Sequence, residues 1–85
     1  MSDPVGTGPQ DDDGLVVDAR GTRCPVPVLR LARAVRDAPA GTRATVLAED
    51  PAVEHDVPAW ARMRGHTVER AVLEHGVWSL TVLTG

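Results

Sequence analysis

Apolar positions along the chain fall into six short runs, and the spacing within them changes from one to the next. Leu15-Val16-Val17 is a continuous apolar run between Gly14 and Gly21, long enough for a buried strand. From Pro25 to Asp37 the period turns helical. Val28, Leu31, Ala32 and Val35 recur at three and four residues, with Arg30, Arg33 and Arg36 on the opposite side. Pro39-Ala40-Gly41 stops this helix. Thr45 to Ala48 reads as a second strand, ended by Glu49-Asp50-Pro51. Val53, Val57, Trp60 and Ala61 again have helical spacing, with Pro58 among them. This predicts a loose turn and then a helix over roughly Asp56 to Arg64, with Pro58 in its first turn, where a missing N–H is tolerated. Gly65 closes it. Val68, Val72 and Leu73 then lead into His75-Gly76, and Trp78, Leu80 and Val82 alternate beyond it, the pattern of a β-hairpin.

The predicted order is β-α-β-α-β-β. One apolar stripe per helix implies an α/β (α+β) fold, a two-layer sandwich with two helices on one face of a four-stranded mixed sheet. Trp60 and Trp78 are the only aromatic residues, so the core is small. Residues 14–85 hold this pattern and form the one expected domain. Residues 1–13 carry Pro4, Gly6, Gly8, Pro9 and four acids, with Val5 as the only large aliphatic after Met1. They offer too little apolar surface to offset the entropy of ordering, and a disordered acidic tail is expected.

Setting that tail apart changes the charge balance. The whole chain is −3, but the tail takes four of the twelve acids and none of the nine arginines, leaving nine against eight, or +1. Residues 14–43 carry six arginines against Asp18 and Asp37, whereas residues 44–85 carry three against six acids. A surface built for nucleic acid is more basic than this, and no direct nucleic-acid contact is expected. A local positive patch over residues 20–36 suits an anionic group or an acidic partner protein. No apolar run reaches a membrane span and no secretory signal opens the chain, so a cytoplasmic monomer without membrane contact is expected.

The chain has a single cysteine, Cys24. A disulfide framework, a CxxC redox pair and a thiolate zinc site each need at least two. His55, His66 and His75 have no metal-binding spacing, and no metal is expected. His66, just past a helix end, suits contact with terminal carbonyls better than catalysis.

Cys24-Pro25-Val26-Pro27 stands between strand one and helix one. A residue before proline is pushed toward extended angles, and proline is favoured at the first helical position. Cys24 is therefore expected as the helix N-cap, with Pro25 first and Pro27 third in the helix, and with the N–H groups of Val26 and Val28 free near the sulfur. The helix dipole and Arg23 are then expected to lower the thiol pKa. A buried filler is the competing account of a lone cysteine, although a loop-to-helix junction between an arginine and a proline is a poor place to bury one. Asp18 suits either a strand-end turn or an acceptor that orients the cysteine loop. Arg23, Arg30 and Arg33 suit partner docking, and a solvated helix face accounts for Arg30 and Arg33 equally well.

The stretch from Asp18 through Gly21 to Cys24-Pro25-Val26-Pro27 resembles the signature of the TusA (SirA-like) sulfurtransferase family, an Asp and a Gly before a CPxP motif that opens a helix. Gly41, Asp50-Pro51, Asp56-Val57-Pro58, Trp60 and Gly65-His66 follow in the family's order and spacing, so that the resemblance covers residues 15–83. It implies a sandwich like the C-terminal domain of translation initiation factor 3. It also implies a sulfur-relay protein that needs no cofactor beyond a covalent persulfide on Cys24, with Pro25 and Pro27 as positioning residues. The implied donor is a cysteine desulfurase or rhodanese-type protein. The implied acceptor is a downstream protein serving tRNA thiolation, molybdenum-cofactor supply or sulfur-compound metabolism. A non-catalytic interaction or redox-sensing module on the same fold is the alternative.

Overall fold

The computed structural model describes residues 14–85; the tail assigned to residues 1–13 lies outside the described residues. The elements follow the expected order, as β1 (Leu15–Asp18), α1 (Val26–Val35), β2 (Arg43–Ala48), α2 (Val53–Arg64), β3 (Thr67–Glu74) and β4 (Val77–Leu83). The four strands form one sheet in the order β1-β2-β4-β3. β1 pairs parallel with β2, and the remaining neighbours are antiparallel. A parallel pair needs a crossover, which α1 supplies. The hairpin turn at His75-Gly76 has positive φ at both residues, as a two-residue turn between twisted strands requires.

Register fixes which side chains meet the helices. Ala44, Val46 and Ala48 of β2 stand opposite Val82, Leu80 and Trp78 of β4, and all but the half-buried Trp78 are buried. Against them pack Pro27, Leu31 and Val35 of α1 and Val53, Val57, Trp60 and Ala61 of α2. The other sheet face carries Thr45 and Thr81, joined by a 2.8 Å hydrogen bond, and stays open. This is the two-layer sandwich that one apolar stripe per helix predicts.

Three local expectations need correction. β1 is an edge strand with Leu15 and Val16 exposed, and only Val17 packs on the core. An apolar run of three cannot by itself distinguish an edge from a centre. Helix α2 begins at Val53, which places Pro58 inside it rather than in its first turn. The ring costs the helix one internal N–H, and the buried side chains of Val53, Val57, Trp60 and Ala61 hold it together. At its other end the N–H groups of Gly65 and His66 reach back to Arg62 and Ala61, and Gly65 takes the left-handed φ of 78° that such an ending requires. The third correction concerns the start of α1 and bears on the thiol.

Both helices run back from the carboxyl ends of β1 and β2. Their N-termini, the loop 19–25 and the loop 49–52 therefore gather at one end of the sheet.

Candidate functional site

Cys24 sits at that end with its thiol exposed. It is not the N-cap of α1. The cap is Pro25, the helix begins at Val26, and the Cys24–Pro25 peptide is cis. Val26 donates its N–H back to the Arg23 carbonyl at 2.8 Å, so this donor is turned away from the sulfur. Pro27 stands second in the helix, fully buried against the core. It pins the first turn while Cys24 stays outside it. The two prolines place the cysteine at the rim of the helix, which is a different role from capping.

Carboxylates build the rest of the loop. Asp50 accepts the backbone N–H of Cys24 on Oδ2 at 2.8 Å and that of Ala52 on Oδ1 at 2.9 Å. Glu49 accepts the N–H of Gly21 at 2.8 Å, and Thr22 Oγ1 donates to the carbonyl of Ala19 at 2.6 Å. Asp56, in α2, accepts the Cys24 thiol itself on Oδ2 at 2.7 Å. Asp18 makes a local turn, taking the N–H, Nε and Nη2 of Arg20. This is a strand-end turn whose acceptor also holds one backbone N–H of the cysteine loop.

The electrostatics follow and reverse an expectation. The Cys24 thiol is pushed above its ordinary pKa, first by its hydrogen bond to Asp56, then by partial desolvation and by the negative charges of Asp56 and Asp50. The groups that set this direction are carboxylates beside the sulfur, and Pro25 stands between Cys24 and the first residue of the helix. Asp50 is held below the usual carboxylate range by the N–H groups of Cys24 and Ala52, with a contribution from Arg23. Arg23 therefore acts on Asp50. Asp18 is lowered to about 2 by Arg20.

Arg30 and Arg33 are both on the exposed side of α1. Arg30 Nη1 donates to the Asp18 carbonyl at 2.9 Å and so ties the helix to the end of β1. Arg33 lines a groove of about 460 Å³ with Arg36, Trp60, Arg64 and His66, at the far end of the helices from Cys24. His66 Nδ1 accepts the Gly85 N–H at 3.1 Å, and its ring lies 5.1 Å from that of Trp60. Its side chain is thus engaged structurally, while its backbone meets the helix carbonyls. A shallower cavity, also about 460 Å³, flanks the cysteine loop between Arg23, Glu49 and Asp50.

Glu49, Asp50 and Asp56 received no role from the sequence. Asp50 and Asp56 stood only as landmarks of the family resemblance, and a further signal was topological: in a β-α-β-α chain, residues just after strand two return to the end of the sheet where strand one delivers Cys24. Among the described residues, no group of three His, Cys, Asp or Glu side chains is arranged to hold a metal, and no helix is long and apolar enough to cross a membrane.

Known proteins share both sequence and fold with this chain. The sulfur carrier proteins TusA of Pseudomonas savastanoi pv. phaseolicola and Pseudomonas syringae pv. syringae are each 36% identical over 78 residues, 92% of this chain and 89% of theirs. A relative from Archaeoglobus fulgidus is 31% identical over 68 residues, 80% of this chain and 93% of its own. The crystal structure of a SirA-like protein from Desulfitobacterium hafniense superposes with a TM-score of 0.75 at 27% identity, over 84% of this chain and 97% of that one. The family model for sulfurtransferase TusA matches residues 15–84, nearly all of the described fold, and the chain belongs to the TusA sulfurtransferase family.

Proposed function

We propose that this protein is a sulfur carrier whose Cys24 accepts sulfane sulfur as a persulfide and passes it to an acceptor protein. The observation that carries the reading is the placement of the chain's one thiol, exposed on a loop held by Asp50 and Glu49, within a chain that matches the sulfurtransferase family over residues 15–84. One thiol suffices for a relay. A donor persulfide gives its outer sulfur to Cys24, and an acceptor thiol later removes it, so that two different proteins meet the same atom in turn. A cysteine desulfurase or rhodanese-type protein is the donor. The acceptor serves tRNA thiolation, molybdenum-cofactor supply or sulfur-compound metabolism, and the carrier works in the cytoplasm, where thiols stay reduced.

A redox-sensing module on the same fold would draw on the same thiol, and the two readings part on whether Cys24 takes up sulfur. The deciding experiment is mass spectrometry after incubation with a cysteine desulfurase and cysteine. A mass gain of one sulfur atom, reversed by reductant and absent in Cys24→Ser, is expected. An unchanged mass with an active desulfurase would sink the reading.

A further inference from the structure

Four carboxylates surround the cysteine loop, and three are engaged elsewhere. Asp18 is paired with Arg20, Asp50 holds two backbone N–H groups, and Glu49 holds one. Asp56 alone is on the sulfur. Among the described residues no guanidinium or backbone N–H competes for its oxygens. It is half-buried and projects from a helix whose next residue, Val57, is fully buried, so its backbone position is fixed. A carboxylate 2.7 Å from a thiol sulfur is within reach of the proton that sulfur carries.

Resting on the carrier reading, we propose that Asp56 is a catalytic residue of this site, the base that takes the Cys24 proton as Sγ attacks a donor persulfide and the acid that returns it when the sulfur leaves. In loading, the Sγ–H bond breaks and the proton passes to Asp56 Oδ2. Sγ bonds to the outer sulfur of the donor persulfide. The donor's S–S bond breaks, and its electron pair leaves with the donor cysteine sulfur. That thiolate is protonated by the proton that Asp56 releases through solvent. A donor persulfide and a carrier thiol thus become a donor thiol and a carrier persulfide. The transferred sulfur keeps its oxidation state, so neither oxidant nor reductant is consumed. Unloading reverses the steps, with the acceptor thiolate attacking the outer sulfur and Sγ regaining its proton by way of Asp56. The arrangement reconciles two needs. The resting thiol is kept protonated and quiet, and its proton has somewhere to go when a donor arrives.

The other charge felt at this thiol is Asp50, from the loop after β2, which in turn feels Arg23 of the cysteine loop, and both remain in the variants that test the pair. In the full chain, Asp56→Asn keeps the side-chain shape and removes the base. Two rates are compared across pH with wild type: alkylation by iodoacetamide, which reports thiolate, and sulfur uptake from glutathione persulfide, followed by mass. Asp56→Asn is expected to alkylate faster at neutral pH, because the neighbouring negative charge is gone. It should take up sulfur roughly a hundred-fold more slowly, the low side of what a positioned base contributes. Opposite movement of the two rates is something a merely structural or electrostatic role would not produce. If uptake rises in step with alkylation, Asp56 only suppresses the thiolate and the assignment falls. Should Asp56→Asn fail to fold, Asp56→Glu, which keeps the charge but moves the oxygens off the sulfur, must slow uptake even though alkylation is as fast as in wild type or faster; uptake at the wild-type rate overturns the assignment. Wild type that takes up no sulfur sinks the carrier reading itself, whereas wild type that loads beside an equally fast Asp56→Asn sinks only the role of Asp56.

Discussion

The backbone N–H of Cys24 is held by Asp50 Oδ2 at 2.8 Å, across 26 positions of sequence. The other oxygen of the same carboxylate caps the Ala52 N–H, so one side chain joins the cysteine loop to the approach of α2. Asp50→Ala releases both N–H groups and is expected to lower the thermal midpoint and to slow sulfur uptake by letting the thiol wander. The contribution of Asp50 depends on pH with a definite sign. Its folded pKa is depressed, so the stabilisation is present above the unfolded value and lost as pH falls through the folded one. Thermal unfolding of wild type and Asp50→Ala should therefore converge on acidification. A gap that stays constant down to strong acid would contradict this.

The Cys24 thiol is expected to titrate above the ordinary cysteine value of about 8.5. The pH profile of iodoacetamide alkylation measures this directly, and a midpoint below that value would mean that the carboxylates do not govern the sulfur. A raised folded pKa stabilises the fold below the unfolded value and loses that contribution as pH rises through the folded one. Cys24→Ser should flatten this alkaline decline. It should leave neutral-pH stability nearly unchanged, since a hydroxyl can still donate to Asp56, and it should abolish sulfur loading.

Asp18 should titrate at about 2 in the folded protein. Carboxyl resonances followed by NMR through an acid titration report the value residue by residue. Arg20→Ala removes the guanidinium that holds the carboxylate and should return the midpoint toward roughly 3.9. A midpoint unmoved by that substitution would show the turn to be held by something other than this pair.

Leu31 and Leu29 stand two positions apart on α1 with opposite surroundings. Leu31 is 0% exposed and Leu29 is 57% exposed. Leu31→Ala is expected to cost about 2–5 kcal/mol, a large share of the roughly 5–15 kcal/mol that holds a small domain together. Leu29→Ala should stay within about 0.5 kcal/mol. Urea unfolding of the two variants checks the contrast, and equal losses would mean that the orientation of the helix is wrong.

Much of this fold was legible because its signals are periodic. The stripe of Leu31 and Val35, the spacing of Val53, Val57 and Trp60, and the alternation of Trp78, Leu80 and Val82 each identified an element and its buried face. The edge position of β1 was not legible, because pairing partners leave no mark on a run of three apolar residues. Pro58 misled because local rules exclude proline from a helix interior, whereas here buried neighbours on both sides keep the helix intact. At the site, the candidate atom was readable from the single cysteine and its prolines, and its thiol is exposed as expected. Its chemistry was not. The prediction of an acidic thiol used only neighbours in sequence, Arg23 and the helix end, whereas the groups that decide the matter, Asp50 and Asp56, lie 26 and 32 positions away. Fields at a sulfur are set by distance in space, and only the parallel pairing of β1 with β2 makes those distances short.

The loop that presents the thiol is completed from behind, by Glu49, Asp50 and Asp56, all supplied after β2. A ribosome delivers the chain from its N-terminus, so Cys24 emerges well before the side chains that restrain it. A nascent or prematurely terminated polypeptide therefore carries an ordinary cysteine, with no anchored loop and no carboxylate at its sulfur. Only after the second helix has been synthesised and has docked does that thiol acquire its distinctive environment.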